Sequence, residues 1–192
     1  ARVISSDIKQ LHKMGLDGYI SCQELRVCLP NALPNYIMGY TLFDESADPQ
    51  ALIQEYFSAA YGARAGEILS YLDALSSLSS CDYLNGKGPR TDPAIAGRME
   101  QVSRLCRDVS LDAAGDGCPL FWEILRYHRD YVLALSRALG ALAGGDAGQA
   151  ADGWYALREL ICQNEQKYQP FLDVYRVLEV TRKYTGFPLS EE

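Results

Sequence analysis

Apolar residues recur at helical spacing along most of the chain. Ile4, Ile8 and Leu11 stand at i, i+4 and i+7, and Gly15 follows as a stop. This spacing predicts a helix from Ile4 to Met14. Gly18-Tyr19-Ile20-Ser21-Cys22 breaks the rhythm and reads as a short strand between a glycine and a polar run. From Gln23 to Leu33 the pattern is irregular, and Pro30 and Pro34 bracket it. Pro34 is well placed as the first residue of a helix that runs through Tyr36, Ile37, Tyr40 and Phe43 to about Glu45. Residues 1–47 therefore read helix, strand, loop, helix, the order of an α/β unit. One strand makes no sheet, so its neighbours are expected elsewhere in a parent polypeptide or in another chain.

After Ser46 the character changes. Asp48-Pro49 and Asp92-Pro93 are helix starts, with Asp as N-cap and Pro in the first turn. The first opens a stripe of Leu52, Ile53, Tyr56, Phe57 and Ala60 that Gly62 ends. A second helix carries Ile68, Leu69, Leu72, Leu75 and Leu78, and a loop from about Ser79 to Thr91 follows. The second Asp-Pro opens a face of Ile95, Met99, Val102, Cys106 and Val109. Ala114-Gly115-Asp116-Gly117 breaks it. Pro119 then opens a long helix through Phe121, Ile124, Leu125, His128, Val132, Leu135, Leu139 and Leu142 to Gly144-Gly145. Asp146 caps the next, which holds Ala150, Trp154, Leu157 and Ile161. Beyond Pro170 a last helix carries Phe171, Val174, Tyr175, Leu178 and Thr181, closed by Gly186 and Pro188. The fold class expected is mainly α. Residues 48–192 form an antiparallel bundle of five or six helices, preceded by a short α/β remnant of the end of a barrel in residues 1–47.

Composition narrows the function. The chain has 192 residues, 48% of them hydrophobic, so a disordered chain is excluded. Its net charge is −7, without a basic run, which argues against nucleic acid as a partner. No run of apolar residues is long enough for a membrane span, and no signal-peptide pattern begins the chain. Ala1-Arg2-Val3 reads as the start of a cut or processed chain. The charge divides unevenly: residues 1–47 hold four basic and five acidic residues, so most of the excess lies on the later helices. The six cysteines form no CxxC pair, and neither His12 nor His128 is near one in sequence, so no metal site is expected. Six would allow disulfides. Cys106 and Cys162 fall at apolar helix positions, however, and the reading favours reduced thiols and a cytoplasmic chain.

Chemistry is sparse. Glu123 and His128 are five residues apart, about 140° around a helix, and do not converge on a metal. Asn85-Gly86-Lys87-Gly88-Pro89-Arg90-Thr91 lacks Walker spacing and reads as a surface loop. The tyrosines Tyr36, Tyr40, Tyr56 and Tyr61 are expected to pack the first segment on the bundle, with stacking on a sugar ring as the alternative. The richest polar run is Ser21-Cys22-Gln23-Glu24-Leu25-Arg26, directly after the strand-like segment. Loops beyond strand C-termini carry ligand sites in barrels and open sheets. Ser21, Gln23, Glu24 and Arg26 are therefore the candidate substrate-binding residues, the alternative being a solvated loop. No catalytic set and no cofactor site emerge, since Glu24 is the only carboxylate in that run.

Three stretches resemble a known family: Gly18 to Gln23, Leu33-Pro34-Asn35-Tyr36-Ile37-Met38-Gly39-Tyr40-Thr41-Leu42-Phe43-Asp44, and Glu55-Tyr56-Phe57-Ser58-Ala59-Ala60-Tyr61-Gly62. They are similar to the C-terminal part of a bacterial family of glycoside-hydrolase-like proteins of unknown function. Its members have a TIM-type barrel, distantly similar to α-glucuronidases and hexosaminidases, followed by a helical domain. The resemblance covers about residues 4–80, and Phe43 stands where tryptophan is common in the family. It implies that Gly18 to Cys22 is the last barrel strand, that the Gln23 to Leu33 loop lines the barrel mouth, and that the acid and base residues lie on earlier strands.

The leading expectation is therefore a C-terminal piece of a carbohydrate-active protein, with a structural or oligomerisation role and no catalysis of its own. Its partners would be an upstream barrel of the same polypeptide, a second copy of the chain, or a carbohydrate. The alternative is a stand-alone helical interaction module with no strand at Tyr19. A small enzyme using His12, Glu24 and Arg26 comes third. Either of the first two predicts sticky surface at Tyr19, Ile20 and Leu42.

Overall fold

The computed structural model describes residues 1–20, 26, 29–112 and 117–187. The described chain is mainly α-helical, as the spacing predicts, and no strand occurs among the described residues. The first helix, α1 (Arg2–Ile8), is shorter than expected. After Ile8 the backbone tightens into a 3₁₀ turn at His12–Met14. Gly15 then takes φ 74°, a left-handed conformation that glycine adopts without steric cost. Gly18, Tyr19 and Ile20 do not form the expected strand; Ser21 and Cys22 lie outside the described residues. Ile20 is 95% exposed. An extended run without a neighbour leaves its backbone groups to water and gains nothing from pairing. The second helix is α2 (Leu33–Phe43), with Pro34 in its first turn.

The remaining helices begin where the capping residues stand. Asp48 accepts from the Gln50 amide at the start of α3 (Pro49–Tyr61). A 3₁₀ turn at Gly62–Arg64 leads into α4 (Ala65–Leu78). The expected loop after it contains a short α5 (Cys81–Leu84), whose first turn is capped by the Ser80 hydroxyl. Asp92 accepts from the Ala94 and Ile95 amides and opens α6 (Pro93–Asp108). The long α7 (Pro119–Gly144) ends at Gly145, and Asp146 caps α8 (Ala147–Gln163). The run after α8 divides into α9 (Glu165–Tyr168) and α10 (Val174–Thr185), so Phe171 precedes the last helix. Asp173 supplies the cap of α10.

The core gathers around α7, which packs against both α6 and α8. Ile95, Met99, Val102 and Cys106 of α6 are buried together, as are Ala150, Trp154, Leu157 and Ile161 of α8. α8 approaches α7 closely because residue 153 is glycine. A Cβ built there would lie 2.9 Å from the Ala138 Cα. Trp154 is sealed by Phe187, their rings 5.3 Å apart and nearly parallel. The Ser103 and Ser136 hydroxyls satisfy each other at 2.8 Å between α6 and α7. Before α7, Gly117 sits at φ 88° with the Ala60 carbonyl oxygen only 2.4 Å from where a Cβ would be. This lets the Cys118 amide donate to that carbonyl at 2.9 Å.

Residues 1–47 pack onto α3 through α1 and α2. Ser5, Ile8, Ile37 and Thr41 face inward and are buried. The Thr41 hydroxyl bonds the Ile37 carbonyl at 2.8 Å and the Ser5 hydroxyl at 3.3 Å. Lys9 Nζ donates to the Ala47 carbonyl at 2.7 Å. Two of the four tyrosines pack the two parts together, Tyr36 of α2 meeting Tyr56 of α3 edge to face with 5.2 Å between centroids. Tyr40 is exposed, and Tyr61 packs against Phe57, Phe121 and Trp122.

Candidate functional site

Of the residues expected to touch a substrate, Ser21, Gln23 and Glu24 lie outside the described residues. Arg26 is described, and α10 engages it. Its guanidinium donates to Asp173 Oδ2 at 2.6 Å, and its carbonyl accepts from the Asp173 amide at 3.2 Å. The same Asp173 carboxylate caps α10 through the Arg176 amide. Arg26 thus fastens its loop to the start of the last helix.

His12 sits elsewhere, with Nε2 3.2 Å from a Glu45 carboxylate oxygen and Nδ1 3.9 Å from Asp17. All three side chains are exposed, and an exposed pairing of this kind contributes little to stability. The loop cations are engaged locally as well. Lys87 pairs with Asp82 at 3.0 Å, while Arg90 lies over the Tyr83 ring at 4.3 Å and donates to the Tyr83 carbonyl. Glu123 pairs with Lys167 of α9 at 2.6 Å. Among the described residues no group of three His, Cys, Asp or Glu side chains could hold a metal. The described cysteines are free thiols. Cys106 is buried as expected, but Cys162 is exposed because it falls on the outward side of α8. Burial pushes the Cys106 thiol up, away from thiolate chemistry.

The feature that stands out is an apolar face. Val3, Met14, Leu16, Tyr19, Ile20, Tyr40, Leu42 and Phe43 are exposed, Phe43 at 92%. Among the described residues, everything after residue 47 contributes only Leu120, Tyr175 and Tyr184 to that class. Tyr19, Ile20 and Leu42 were legible as sticky in the sequence; Phe43 was not, because it shares helical spacing with Tyr36, Ile37 and Tyr40. The structure splits that stripe. Ile37 and Thr41, at i and i+4, face α1 and α3, whereas Tyr40 and Phe43, at i and i+3, face out. Thr41 was the missed signal: a small polar residue one turn after Ile37 marks the inward row.

Asn35, Tyr36, Gly39, Tyr40 and Phe43 line an open groove of about 380 Å³ on this outward side. The Tyr36 and Tyr40 rings lie 4.6 Å apart along it. Nothing stands within 4 Å of where a Gly39 side chain would begin, so the groove floor is open. Desolvation and hydrogen bonds to Tyr40 and Glu55 push the Tyr36 phenol up, so it stays protonated at neutral pH. An aromatic surface of this kind offers contact area with an apolar body and a polar tip.

Comparison with known proteins finds no matching family model, no similar curated protein and no similar solved structure.

Proposed function

We propose that this chain is a non-catalytic helical domain whose residues 1–47 dock on a second protein body, and that this body is the TIM-type barrel of a carbohydrate-active protein. One observation carries the reading: large apolar side chains stay exposed on the first segment while the later helices bury theirs. Exposed apolar side chains gathered in one groove, as Tyr40 and Phe43 are, mark interaction sites. The resemblance of residues 4–80 to glycoside-hydrolase-like proteins supplies the identity of the docked body. The helices from α3 onward then form an up-and-down antiparallel bundle that buttresses the barrel or builds a dimer interface. Ser21, Gln23, Glu24 and Arg26 sit at the barrel mouth in this reading.

The test is the gene upstream of Ala1. A barrel requires about 200 to 300 residues of alternating strand and helix. Their presence, with hydrolysis of aryl glycosides or uronides by the full product and none by this chain alone, is the expected outcome. A gene that begins at residue 1 removes the reading, as does hydrolysis by the isolated chain.

A second reading, a stand-alone helical interaction module, has its own support. α1 and α2 pack on α3 as helices, and no strand forms at Tyr19. It expects no upstream barrel and expects the face around Phe43 to bind a separate protein.

A further inference from the structure

A cavity of about 410 Å³ opens between α4 and α7, with Leu33 at the start of α2 and the preceding Pro30 and Asn31 also in its lining. This is at the small end of the range of about 300–1,000 Å³ typical of small-molecule sites. Leu69, Leu72 and Leu75 of α4 and Val132 and Leu135 of α7 form its walls. His128 stands in the same wall, one turn before Val132. The lining contains no lysine or arginine and a single carboxylate, Asp73.

Several polar groups of the wall are already engaged. Ser136 donates to the Leu133 carbonyl and pairs with Ser103. Ser79 donates to the Leu75 carbonyl, and Ser80 accepts from the Tyr83 amide. His128 differs. Its Nδ1 is sealed from solvent without a partner and out of a ligand's reach. Nε2 is not sealed and no described residue hydrogen-bonds it, so Nε2 is the atom open to a ligand. Burial pushes its pKa down to about 4, so the imidazole is neutral at pH 7. A neutral imidazole carries one N–H donor and one acceptor nitrogen, and a buried polar group without a partner is costly.

We propose that this cavity binds a small, uncharged, apolar molecule carrying a hydroxyl group, an aromatic or medium-chain alcohol, whose hydroxyl pairs with His128. An anion is disfavoured because the wall offers no cation and Asp73 repels it. A pure hydrocarbon fills the walls but leaves His128 unsatisfied. The proposal is independent of the docked barrel and survives or falls without it.

The test is calorimetric titration of the full chain at pH 7 with three matched probes: 2-naphthol, naphthalene and 2-naphthoate. The expected result is micromolar binding of 2-naphthol, with naphthalene and 2-naphthoate each about tenfold weaker or more. In His128→Phe the advantage of 2-naphthol over naphthalene disappears while naphthalene binds as before. Val132→Trp fills the cavity and abolishes binding of both. Should that variant lose its helical signal, Leu72→Trp at the rim serves the same purpose. Phe43→Ser, which does not line the cavity, leaves every affinity unchanged. The proposal is overturned if 2-naphthol binds no tighter than millimolar, if 2-naphthoate binds equally well, if a folded filling variant retains binding, or if Phe43→Ser abolishes it.

Discussion

α2 and α7 both carry aromatic and aliphatic residues at helical spacing, yet they treat them differently. α7 buries Leu125 and Leu139 in the main core with α6 and α8, Trp122 against Tyr61 of α3, and Ile124 and Tyr127 against Tyr168 and Leu172. α2 buries Ile37 and Thr41 against α1 and α3 and leaves Tyr40, Leu42 and Phe43 in solvent. The spacing alone does not tell these cases apart. The number of neighbours does, and α2 has partners on one side only. A half-clothed amphipathic helix implies an occupant for its other side, whereas a fully clothed one implies a core. This contrast carries the functional reading.

The contrast can be broken by experiment. Trp154→Ala, inside the clothed region, is expected to cost about 3–5 kcal/mol in urea denaturation, while Phe43→Ala stays within about 0.5 kcal/mol. Equal costs would mean that Phe43 belongs to the fold and that the face is not vacant. Next in size is an acid effect at the edge of the core. His128 has its pKa lowered from 6.5 to about 4 in the folded state, so between those values the unfolded chain binds a proton that the folded chain does not. Stability is therefore full above pH 6.5 and falls as the pH drops towards 4, by at most about 3 kcal/mol. Urea midpoints from pH 7 to 4.5 are expected to fall more steeply in the wild-type chain than in His128→Phe; parallel slopes would refute this.

Gly153→Ala tests the close approach of α8 to α7. The new methyl would sit 2.9 Å from the Ala138 Cα, and a loss of about 1–3 kcal/mol is expected in thermal unfolding. The same change at Gly39, on the open side of α2, meets nothing within 4 Å and is expected to stabilise slightly, since alanine favours helix. The smallest effect on stability, and the sharpest on behaviour, comes from Ile20→Ser with Phe43→Ser. Sedimentation at high concentration is expected to show the wild-type chain self-associating through this face and the double variant remaining monomeric. A monomeric wild-type chain would mean that the exposed patch is too weak to hold a partner by itself.

Much of the helical layout was legible because its signals are local. An aspartate side chain reaches the amides of its own first turn, so Asp48, Asp92 and Asp146 mark starts wherever the chain goes afterwards. Gly145 and Gly186, both at φ near 80°, mark ends for the same reason. The expected strand at Tyr19 failed because a strand exists only through its neighbour, which local sequence does not reveal. Cys162 and Tyr175 look like core members by spacing but are exposed, on sides of α8 and α10 that no described residue covers. The candidate site divided in the same way. Arg26 was visible as a cation in a polar run, but its partner Asp173 lies 147 residues away.

By itself, then, the sequence determined the helix starts at Asp48, Asp92 and Asp146 and the stops at Gly145 and Gly186, that the chain is acidic, and that no motif for metal or nucleotide chemistry accompanies it. Capping and turn conformations are settled within a few bonds, and composition does not depend on the fold. Only the tertiary structure decided which apolar stripes are buried and which are bare. It alone brought Leu72 of α4 and Val132 of α7 together around a cavity, and left His128 in its wall without a partner. Burial and hydrogen-bond satisfaction are properties of the assembled neighbours, and no residue carries them in its own letter.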